Sequence, residues 1–215
     1  MRSFIESVVA LIALVILSPL LLIVSLAIAL GSPGSPFYLA PRIGKGGKPF
    51  RMLKFRTMIR GAASRGPSIT GRNDPRITRL GAILRMTKLD ELPQFFNVLT
   101  GDMSLVGPRP EAPDMVALYT AEQRSVLSVK PGITGPSQLA SGEESESIPE
   151  NVKADEYYAR HIMESKLQFD LDYIDQRSVL NDMRILFKTA LYILQCCGRR
   201  IAMAVSFQRS NIRNT

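Results

Sequence analysis

The chain has 215 residues, and its 27 Lys and Arg residues against 19 Asp and Glu residues give a formal net charge of +8 at pH 7. That length allows one catalytic domain and an anchor. The charge favours a polyanionic partner such as nucleic acid, an anionic membrane surface or a phosphorylated small molecule. Cys196 and Cys197 are neighbours, which excludes a framework of disulfides. We therefore expect a reduced globular part in the cytosol.

An uncharged apolar run of 23 residues, 8–30, predicts contact with a membrane. As a helix it would be about 35 Å long. It is longer than the apolar core of a signal peptide and no clear cleavage site follows it. Pro19 follows Ser18 near its middle and removes one backbone hydrogen bond. From these residues alone, a spanning helix and a re-entrant hairpin both stay open.

Residues 31–58 predict a linker followed by a β-hairpin, because apolar and basic residues alternate around a glycine-rich centre. The centre, 44–48, lacks the spacing and the Ser or Thr of a phosphate loop, so we interpret it as a tight turn. Lys54 and Arg56 share one face of the second strand, because strand side chains alternate. They could hold a phosphate or lie on a solvated face.

Residues 71–103 predict two helical pieces that join near residues 86–90. Pro93 belongs in the first turn of the second piece, which places Asp90 and Glu91 at or just before its N-terminus. Helix capping, worth about 0.3 to 1 kcal/mol, is one interpretation of this acidic pair. The other is a catalytic site, because cations that would bring a diphosphate to a carboxylate surround the pair: Arg72, Arg76, Arg79, Arg85, Lys88 and Arg109.

Four segments together resemble the bacterial sugar transferase family, the monotopic phosphoglycosyl transferases: KFRTM, DPRITRLGAILRMTKLDELPQFFNVLTGDMSLVGPRPE, VKPGITG and DLDYIDQRSVLNDMRIL. The resemblance extends from the apolar run to about residue 195. It implies a mainly helical α+β fold in which a re-entrant membrane helix-break-helix joins a compact catalytic domain with a small β-hairpin and interfacial amphipathic helices. We expect the re-entrant helix and linker over 1–35, the cytosolic catalytic domain over 36–195 and a basic tail over 196–215.

The resemblance also implies a reaction, the first membrane step of glycoconjugate or polysaccharide assembly. A phosphosugar would pass from a UDP-sugar to a polyprenol phosphate, undecaprenyl phosphate in particular, with release of UMP. The family's chemistry has two steps, with a covalent phosphosugar on the aspartate of the acidic pair. By this match Asp90 is the nucleophile and Glu91 assists it. Magnesium is the implied cofactor, with Asp90 as its protein ligand.

Further site residues are carried over from the same match. Arg109 corresponds to the family's phosphate-binding arginine, and a planar guanidinium suits phosphate better than an ammonium group does. Arg85, Lys54 and Arg56 are carried over as diphosphate-binding or structural cations. Asp170 matches an aspartate near the family's C-terminal motif, and we include it among the substrate-binding candidates.

The resemblance implies that the membrane helix breaks at Ser18 and Pro19, so that both of its ends lie on the cytosolic side. The enzyme would then be monotopic in the bacterial inner membrane, with UDP-sugar, polyprenol phosphate and lipids of the cytosolic leaflet as partners. We also consider a second copy of the chain as a partner. The apolar stretch 186–207 could lie in the membrane interface or pack against the core.

The sequence departs from the commoner family pattern after residue 135, which leaves the sugar open. The acidic segment 143–146 is interpreted as a solvated loop, with a substrate lid as the alternative. His161 has no metal-binding partner and is expected on a helix surface. A membrane-bound phosphohydrolase and a basic tethering module are the rival classes. Nucleic acid is excluded as a partner because tethering leaves the acidic pair idle and few aromatic residues offer stacking.

Overall fold

The computed structural model describes residues 2–71, 73–141 and 147–195. The predicted basic tail 196–215, Arg72 and the acidic segment 143–146 lie outside the described residues. The helices are α1 (Arg2–Gly31), α2 (Arg79–Met86), α3 (Phe95–Thr100), α4 (Pro113–Ala117), α5 (Pro136–Ser141), α6 (Ala154–His161), α7 (Met163–Asp175) and α8 (179–195). The strands are β1 (Phe37–Ile43), β2 (Pro49–Phe55), β3 (Ser104–Val106) and β4 (Gly132–Thr134), and 3-10 helices cover Lys45–Gly47, Ala62–Ser64, Leu89–Gln94 and Gln123–Ser128. These elements confirm the mainly helical α+β class.

Helix α1 continues through Pro19, so the predicted division into two separate helical pieces is corrected. A proline at position 19 cannot donate the backbone hydrogen bond that the carbonyl of Val15, four residues earlier, would accept. The Ser18 hydroxyl donates to that carbonyl at 2.8 Å instead. The side chain before the proline therefore compensates for the missing backbone donor and lets the helix continue.

Helix α1 packs against the rest of the protein near both of its ends. Toward the N-terminus, Ala10 is fully buried against the hairpin and α3. Toward the C-terminus, Val24 and Ile28 pack against β2 and α2. Ile16 and Leu22, near the middle, each expose 70% of their surface. The Ser3–Gly31 stretch is long and apolar enough to cross a membrane, and a helix that enters and leaves on one side would meet the same two criteria.

The predicted hairpin is confirmed, with β1 and β2 antiparallel and joined through Lys45–Gly47. Gly46 has φ of 69°, a left-handed conformation that glycine adopts at little cost, so this segment is the predicted tight turn. A second sheet, in which β3 and β4 run parallel, was not predicted from the sequence. Its strands approach so closely that a Cβ atom on Gly132 would lie 2.1 Å from the Gly107 nitrogen.

A buried ion pair fixes the segment that follows the Gly-Pro-Arg-Pro turn. Lys166 of α7 is 2% exposed, and its Nζ donates to the Glu111 carboxylate at 2.6 Å and to the Tyr158 hydroxyl at 2.8 Å. The backbone carbonyl of Glu111 accepts a hydrogen bond from the Ile43 nitrogen at 3.0 Å. This segment is therefore attached both to the helices and to the hairpin.

Helix α8 contacts the core with one face only. Ile185 is buried and Thr189 bonds through its hydroxyl to Thr134 at 2.7 Å. The other face exposes a stripe of large apolar residues at intervals of three and four positions: Leu180, Met183, Phe187, Leu191 and Leu194. The apolar stretch predicted to lie in the interface or to pack on the core is described over 186–195. In this part, one face of the helix packs against the core and the other face exposes apolar residues. His161 ends α6 and is exposed, as predicted.

Candidate active site

A cavity of about 1620 Å³ lies beside the hairpin, and it brings together the acidic pair and several of its predicted partners. The pair comes from the 3-10 helix Leu89–Gln94, and the cations come from β2, α2 and the turn that follows β3. The charged residues predicted from the sequence that line this cavity include Lys54, Arg85, Lys88, Asp90, Glu91 and Arg109. The catalytic interpretation of the acidic pair thus has a physical setting that helix capping alone would not require.

Glu91 is the centre of the charge cluster. Its Oε1 accepts from Arg109 Nη2 at 2.7 Å and from Lys54 Nζ at 3.0 Å, while Arg109 Nη1 lies 3.5 Å from Oε2. The exposed fractions of the three side chains are 13% for Glu91, 21% for Arg109 and 16% for Lys54. Largely excluded from water, these charges interact more strongly than they would on an open surface.

The two neighbouring carboxyl groups have pKa values that shift in opposite directions. Burial by itself raises the pKa of each carboxyl group. At Glu91, Arg109 and Lys54 outweigh that effect and hold the pKa well below its ordinary value. At Asp90, burial dominates, Lys54 opposes it, and the negative charge of Glu91 adds to it, so the pKa rises to about 6. Glu91 is therefore a permanent anion, whereas Asp90 titrates just below neutral pH.

Local backbone geometry places the pair at the start of its element, as predicted. Lys88 has φ of 58°, a left-handed turn that ends the preceding segment. Asp90 and Glu91 then occupy the first turn of the 3-10 helix Leu89–Gln94, and Pro93 lies inside it. The expectation that Pro93 starts the second piece is thus corrected, because the helical backbone begins four residues earlier.

The hairpin contributes a cation that the sequence analysis missed. Tyr38 pairs directly with Lys54, and Arg42 lies on the same face of β1 because alternate residues share a face. Arg42 lines the cavity, and burial lowers its pKa while Glu111 opposes that shift. The alternation that placed Lys54 on one face of the second strand would have placed Arg42 on the same face of the hairpin, had it also been applied to the first strand.

Arg85 is held by α2 at the wall of the cavity, where its Nε donates to the Thr57 hydroxyl at 2.9 Å. Helix α2 approaches this segment closely, because a Cβ atom on Gly81 would lie only 1.9 Å from the Thr57 carbonyl oxygen. The hydroxyl of Thr78 caps the helix by accepting from the Gly81 nitrogen at 2.9 Å. The position of Arg85 is therefore set by the close contact between α2 and residue 57.

Two other predicted cations have structural contacts. The Arg56 guanidinium donates to the backbone carbonyls of Pro33 and Ser32 at 2.8 and 2.7 Å, at the C-terminal end of α1. Arg76 forms a buried ion pair with Asp74 at 2.6 Å. It also donates to carbonyls of the 62–67 segment. Arg76 therefore braces its own loop, and it also lines the cavity.

Asp170 is not among the residues that line the cavity, and its substrate contact stays a prediction. It is 2% exposed on α7, which packs against α5, and burial raises its pKa to about 7 while Ser137 and Lys166 oppose the shift. It lies close enough to the Lys166–Glu111 ion pair to feel both charges. The structure thus places this carboxyl group among the packed helices and not in the wall of the cavity.

The family assignment rests on a match over most of the chain. The sequence profile described as "Bacterial sugar transferase" matches residues 1–196. The chain belongs to this family. The match includes α1, the hairpin and α8 as well as the acidic pair.

Curated relatives share this family. The chain is 38% identical over 194 residues to "UDP-N-acetylgalactosamine-undecaprenyl-phosphate N-acetylgalactosaminephosphotransferase" of Aeromonas hydrophila, covering 89% of this chain and 43% of that protein. It is 39% identical over 191 residues to "UDP-glucose:undecaprenyl-phosphate glucose-1-phosphate transferase" of Escherichia coli strain K12, covering 86% and 38%. A relative of the latter name from Caulobacter vibrioides is 38% identical, covering 90% and 69%. The chain thus spans about two fifths of the length of the first two relatives.

The raised pKa of Asp90 predicts a specific effect on stability. A carboxyl group whose pKa is about 6 when folded and 3.8 when unfolded destabilises the folded state progressively as pH rises from about 4 to 6. We therefore expect Asp90→Asn to raise the free energy of unfolding at pH 7.5, by up to about 3 kcal/mol, and to leave it nearly unchanged at pH 4. The measurement is denaturant unfolding of the detergent-solubilised, ligand-free protein at both pH values.

Glu91→Gln is the matched comparison for this stability measurement. Its low pKa stabilises the folded state above the ordinary glutamate pKa, and that contribution is lost as pH falls. Removing this charge also leaves Arg109 and Lys54 buried without their partner, so Glu91→Gln should destabilise the protein at pH 7.5. If both variants changed stability in the same direction at pH 7.5, the opposite assignment of the two carboxyl groups would be wrong.

Proposed function

We propose that this protein transfers a sugar phosphate from a UDP-sugar to undecaprenyl phosphate and releases UMP, at the first membrane step of polysaccharide or glycoconjugate assembly. The names of the relatives from Aeromonas and Escherichia support the class of donor and the acceptor. Those two names specify different sugars, N-acetylgalactosamine and glucose, so the proposal extends to the donor class and not to one sugar.

The observation that carries the proposal is the pair of adjacent carboxyl groups with separated pKa values in a cavity lined by cations. In the first step, a carboxylate oxygen of Asp90 attacks the sugar-linked phosphorus of the donor. The bond from that phosphorus to the bridging oxygen breaks, and UMP leaves with this oxygen. In the second step, a phosphate oxygen of undecaprenyl phosphate attacks the same phosphorus and restores the Asp90 carboxylate. With a pKa of about 6, Asp90 is mostly ionised at pH 7 and ready to attack.

The cations have separate parts in this chemistry. Arg109 presents a planar guanidinium, whose paired donors suit two oxygens of one phosphate group. Lys54 adds a point charge at the same Glu91 oxygen that Arg109 binds, and Arg85 adds a third cation from α2. Together they offset the repulsion between a carboxylate nucleophile and a diphosphate, and they stabilise charge that develops on the leaving UMP.

Glu91 acts in this proposal by orientation rather than by proton transfer. A carboxyl group whose pKa is held well below its ordinary value is a poor proton acceptor at neutral pH. Its bonds to Arg109 and Lys54 keep both cations beside Asp90 in the absence of substrate. Charge pairing with Glu91 therefore prepares the phosphate site before the donor arrives.

Magnesium fits the donor set without a preformed metal cluster. Among the described residues, no group of three or more His, Cys, Asp or Glu side chains is placed to hold a metal. Mg²⁺ is often bound through one or two carboxylates together with substrate phosphates, and Asp90 offers such an oxygen at the cavity. When bound there, the ion would neutralise phosphate charge.

Chelation with EDTA should stop UMP formation and added Mg²⁺ should restore it, whereas full activity in EDTA would refute the metal requirement.

The contacts of α1 support a monotopic arrangement, with both ends of the helix on the cytosolic side of the bacterial inner membrane. Near the N-terminus, the Ser104 hydroxyl donates to the Glu6 carboxylate at 2.6 Å. At the C-terminus, Arg56 caps the helix. A plain span would carry one end of the helix across the bilayer, away from the domain that holds the other end. The exposed apolar middle of α1 is then the part that enters the lipid.

Asp90→Asn is the decisive variant for the chemistry. It removes the nucleophile and hardly changes the shape of the side chain, so UMP formation from UDP-sugars with undecaprenyl phosphate should fall at least about a thousandfold. Wild-type protein given donor alone should gain the mass of one phosphosugar, and the variant should not. The readouts are UMP release and intact-protein mass.

Asp175→Asn, at the exposed end of α7, is the matched control and should keep wild-type activity. Substantial transfer by Asp90→Asn would overturn the assignment of the nucleophile. A wild-type protein that turns over but never gains mass, with kinetics that require both substrates together, would overturn the two-step mechanism and leave the transfer reaction standing.

The topology of α1 gives a further prediction. Because Pro19 removes a backbone hydrogen bond and the Ser18 hydroxyl bonds to the Val15 carbonyl in its place, replacing both with Leu should favour a plain span that carries the N-terminus across the membrane. In a background without Cys196 and Cys197, Ser3→Cys should resist a membrane-impermeant thiol reagent applied to intact cells. The same cysteine should react after the Ser18 and Pro19 replacements. Labelling with Ser18 and Pro19 intact would show that α1 already crosses the bilayer.

A further inference from the structure

The cavity that holds the acidic pair also has an apolar part, which we call the arm. The charged part contains Asp90, Glu91 and the cations around them. The arm is defined by apolar lining residues from four other elements, α1, β3, β4 and α8: Val9, Ala13, Leu105, Ile133, Leu186 and Ile193. A phosphate group alone does not account for this apolar lining. A single cavity lined by both cations and apolar residues matches the chemistry of an amphiphile with an anionic head.

The arm is built around the parallel strand pair. Leu105 of β3 packs both against the cluster that contains Ala10 of α1 and against the cluster that contains Ile185 of α8. Ile133 of β4 packs against the first of these clusters. The hydroxyl pair of Thr134 and Thr189 joins β4 to α8. The strands thus form a floor, with α1 and α8 packed onto it.

Both helices that flank this floor present exposed apolar surface on their other sides. In α1, Ile12 is 53% exposed and lies next to Ala13, which lines the arm. In α8, Leu194 is 68% exposed and lies next to Ile193, which also lines the arm. Two adjacent helices with such surfaces are suited to contact with lipid. A hydrocarbon chain in the arm could therefore continue into the bilayer without crossing water.

We propose that this arm binds the first isoprene units of the polyprenyl acceptor and so brings its phosphate to Arg109 and Lys54. The inference rests on the proposed function, which supplies the class of acceptor. An isoprenoid chain gains free energy by leaving water for an apolar lining. Holding the first units of the chain fixes the distance from the apolar arm to the phosphate, so the attacking oxygen is delivered to the phosphorus on Asp90.

Paired tryptophan substitutions test the arm, because adjacent residues face either into it or away from it. Ala13→Trp and Ile193→Trp add bulk to the lining, and Ile12→Trp and Leu194→Trp are matched controls on the exposed surfaces of the same helices. We expect the lining variants to raise the KM for undecaprenyl phosphate about tenfold or more, with the KM for the UDP-sugar unchanged. The controls should stay within about twofold of wild type. Equal KM values in lining and control variants would overturn the proposal.

Photolabelling of the wild-type protein tests the arm without relying on the folding of any variant. The probe is undecaprenyl phosphate with a diazirine in one of its first isoprene units, in vesicles of bacterial phospholipid. Labelled peptides should come from residues 9–13, 105, 133 and 186–193, and excess unlabelled undecaprenyl phosphate should abolish the labelling. Labels confined to other segments would overturn the proposal. So would labelling of these residues by a diazirine phospholipid that undecaprenyl phosphate does not displace, because the arm would then be a phospholipid site.

The acceptor arm and the proposed transfer reaction can fail separately. If wild-type protein transfers sugar phosphate to undecaprenyl phosphate but the lining variants match their controls, only the acceptor arm is wrong. If wild-type protein labels at the arm but no UDP-sugar yields UMP, the arm stands as a polyprenyl phosphate site and the proposed reaction is wrong.

Discussion

The site depends on one buried carboxylate that is shared by two cations. Glu91 holds Arg109 and Lys54, which come from segments far apart in the chain, and it brings the hairpin, the 3-10 helix and the Gly-Pro-Arg-Pro turn together. Burying an unpaired charge costs several kcal/mol, so these three groups stabilise one another only in this arrangement. The same pairing leaves Asp90 as the neighbour whose pKa rises, because burial acts on it more strongly than the nearby cations do.

A second buried ion pair, between Lys166 and Glu111, supports the turn that carries Arg109. Lys166 and Glu111 connect α7 to the residue that follows Pro110, and the backbone of Glu111 bonds to the end of β1. The turn that carries Arg109 is therefore fixed by the residue that follows Pro110. The orientation of the Arg109 guanidinium is thereby set before a ligand binds.

Helices α1 and α8 are part of the same construction. Helix α1 packs against the domain near both of its ends, and Arg56, directly after the strand that carries Lys54, donates to the Ser32 carbonyl just beyond the C-terminus of α1. Helix α8 is joined to β4 and presents an apolar stripe outward. Residues of both helices also line the cavity, so the two helices that expose apolar surface contribute to the wall of the charged site.

Local features can be predicted from the sequence: the apolar helix, the hairpin with its glycine turn, the acidic pair at the start of a helical element and the cations of the central segment. These follow from residue periodicity, from turn chemistry and from spacing along the chain. The partner of each cation depends on the tertiary structure. Arg109 and Lys54 bind Glu91, Arg56 bonds to the carbonyls just after α1 and Arg76 pairs with Asp74, although all four have the same sign of charge and all four line the cavity.

Asp170 was included among the substrate-binding candidates on a motif alone, and the structure places it in the packed interior and not among the residues that line the cavity. The strand pair β3 and β4 escaped prediction because three-residue strands are too short to show a period, and their partners lie more than twenty positions apart. Long-range pairing and burial depend on which surfaces meet when the chain folds. The pKa of a carboxyl group therefore depends on its neighbours in space. The order of residues along the chain shows only which residues could become those neighbours.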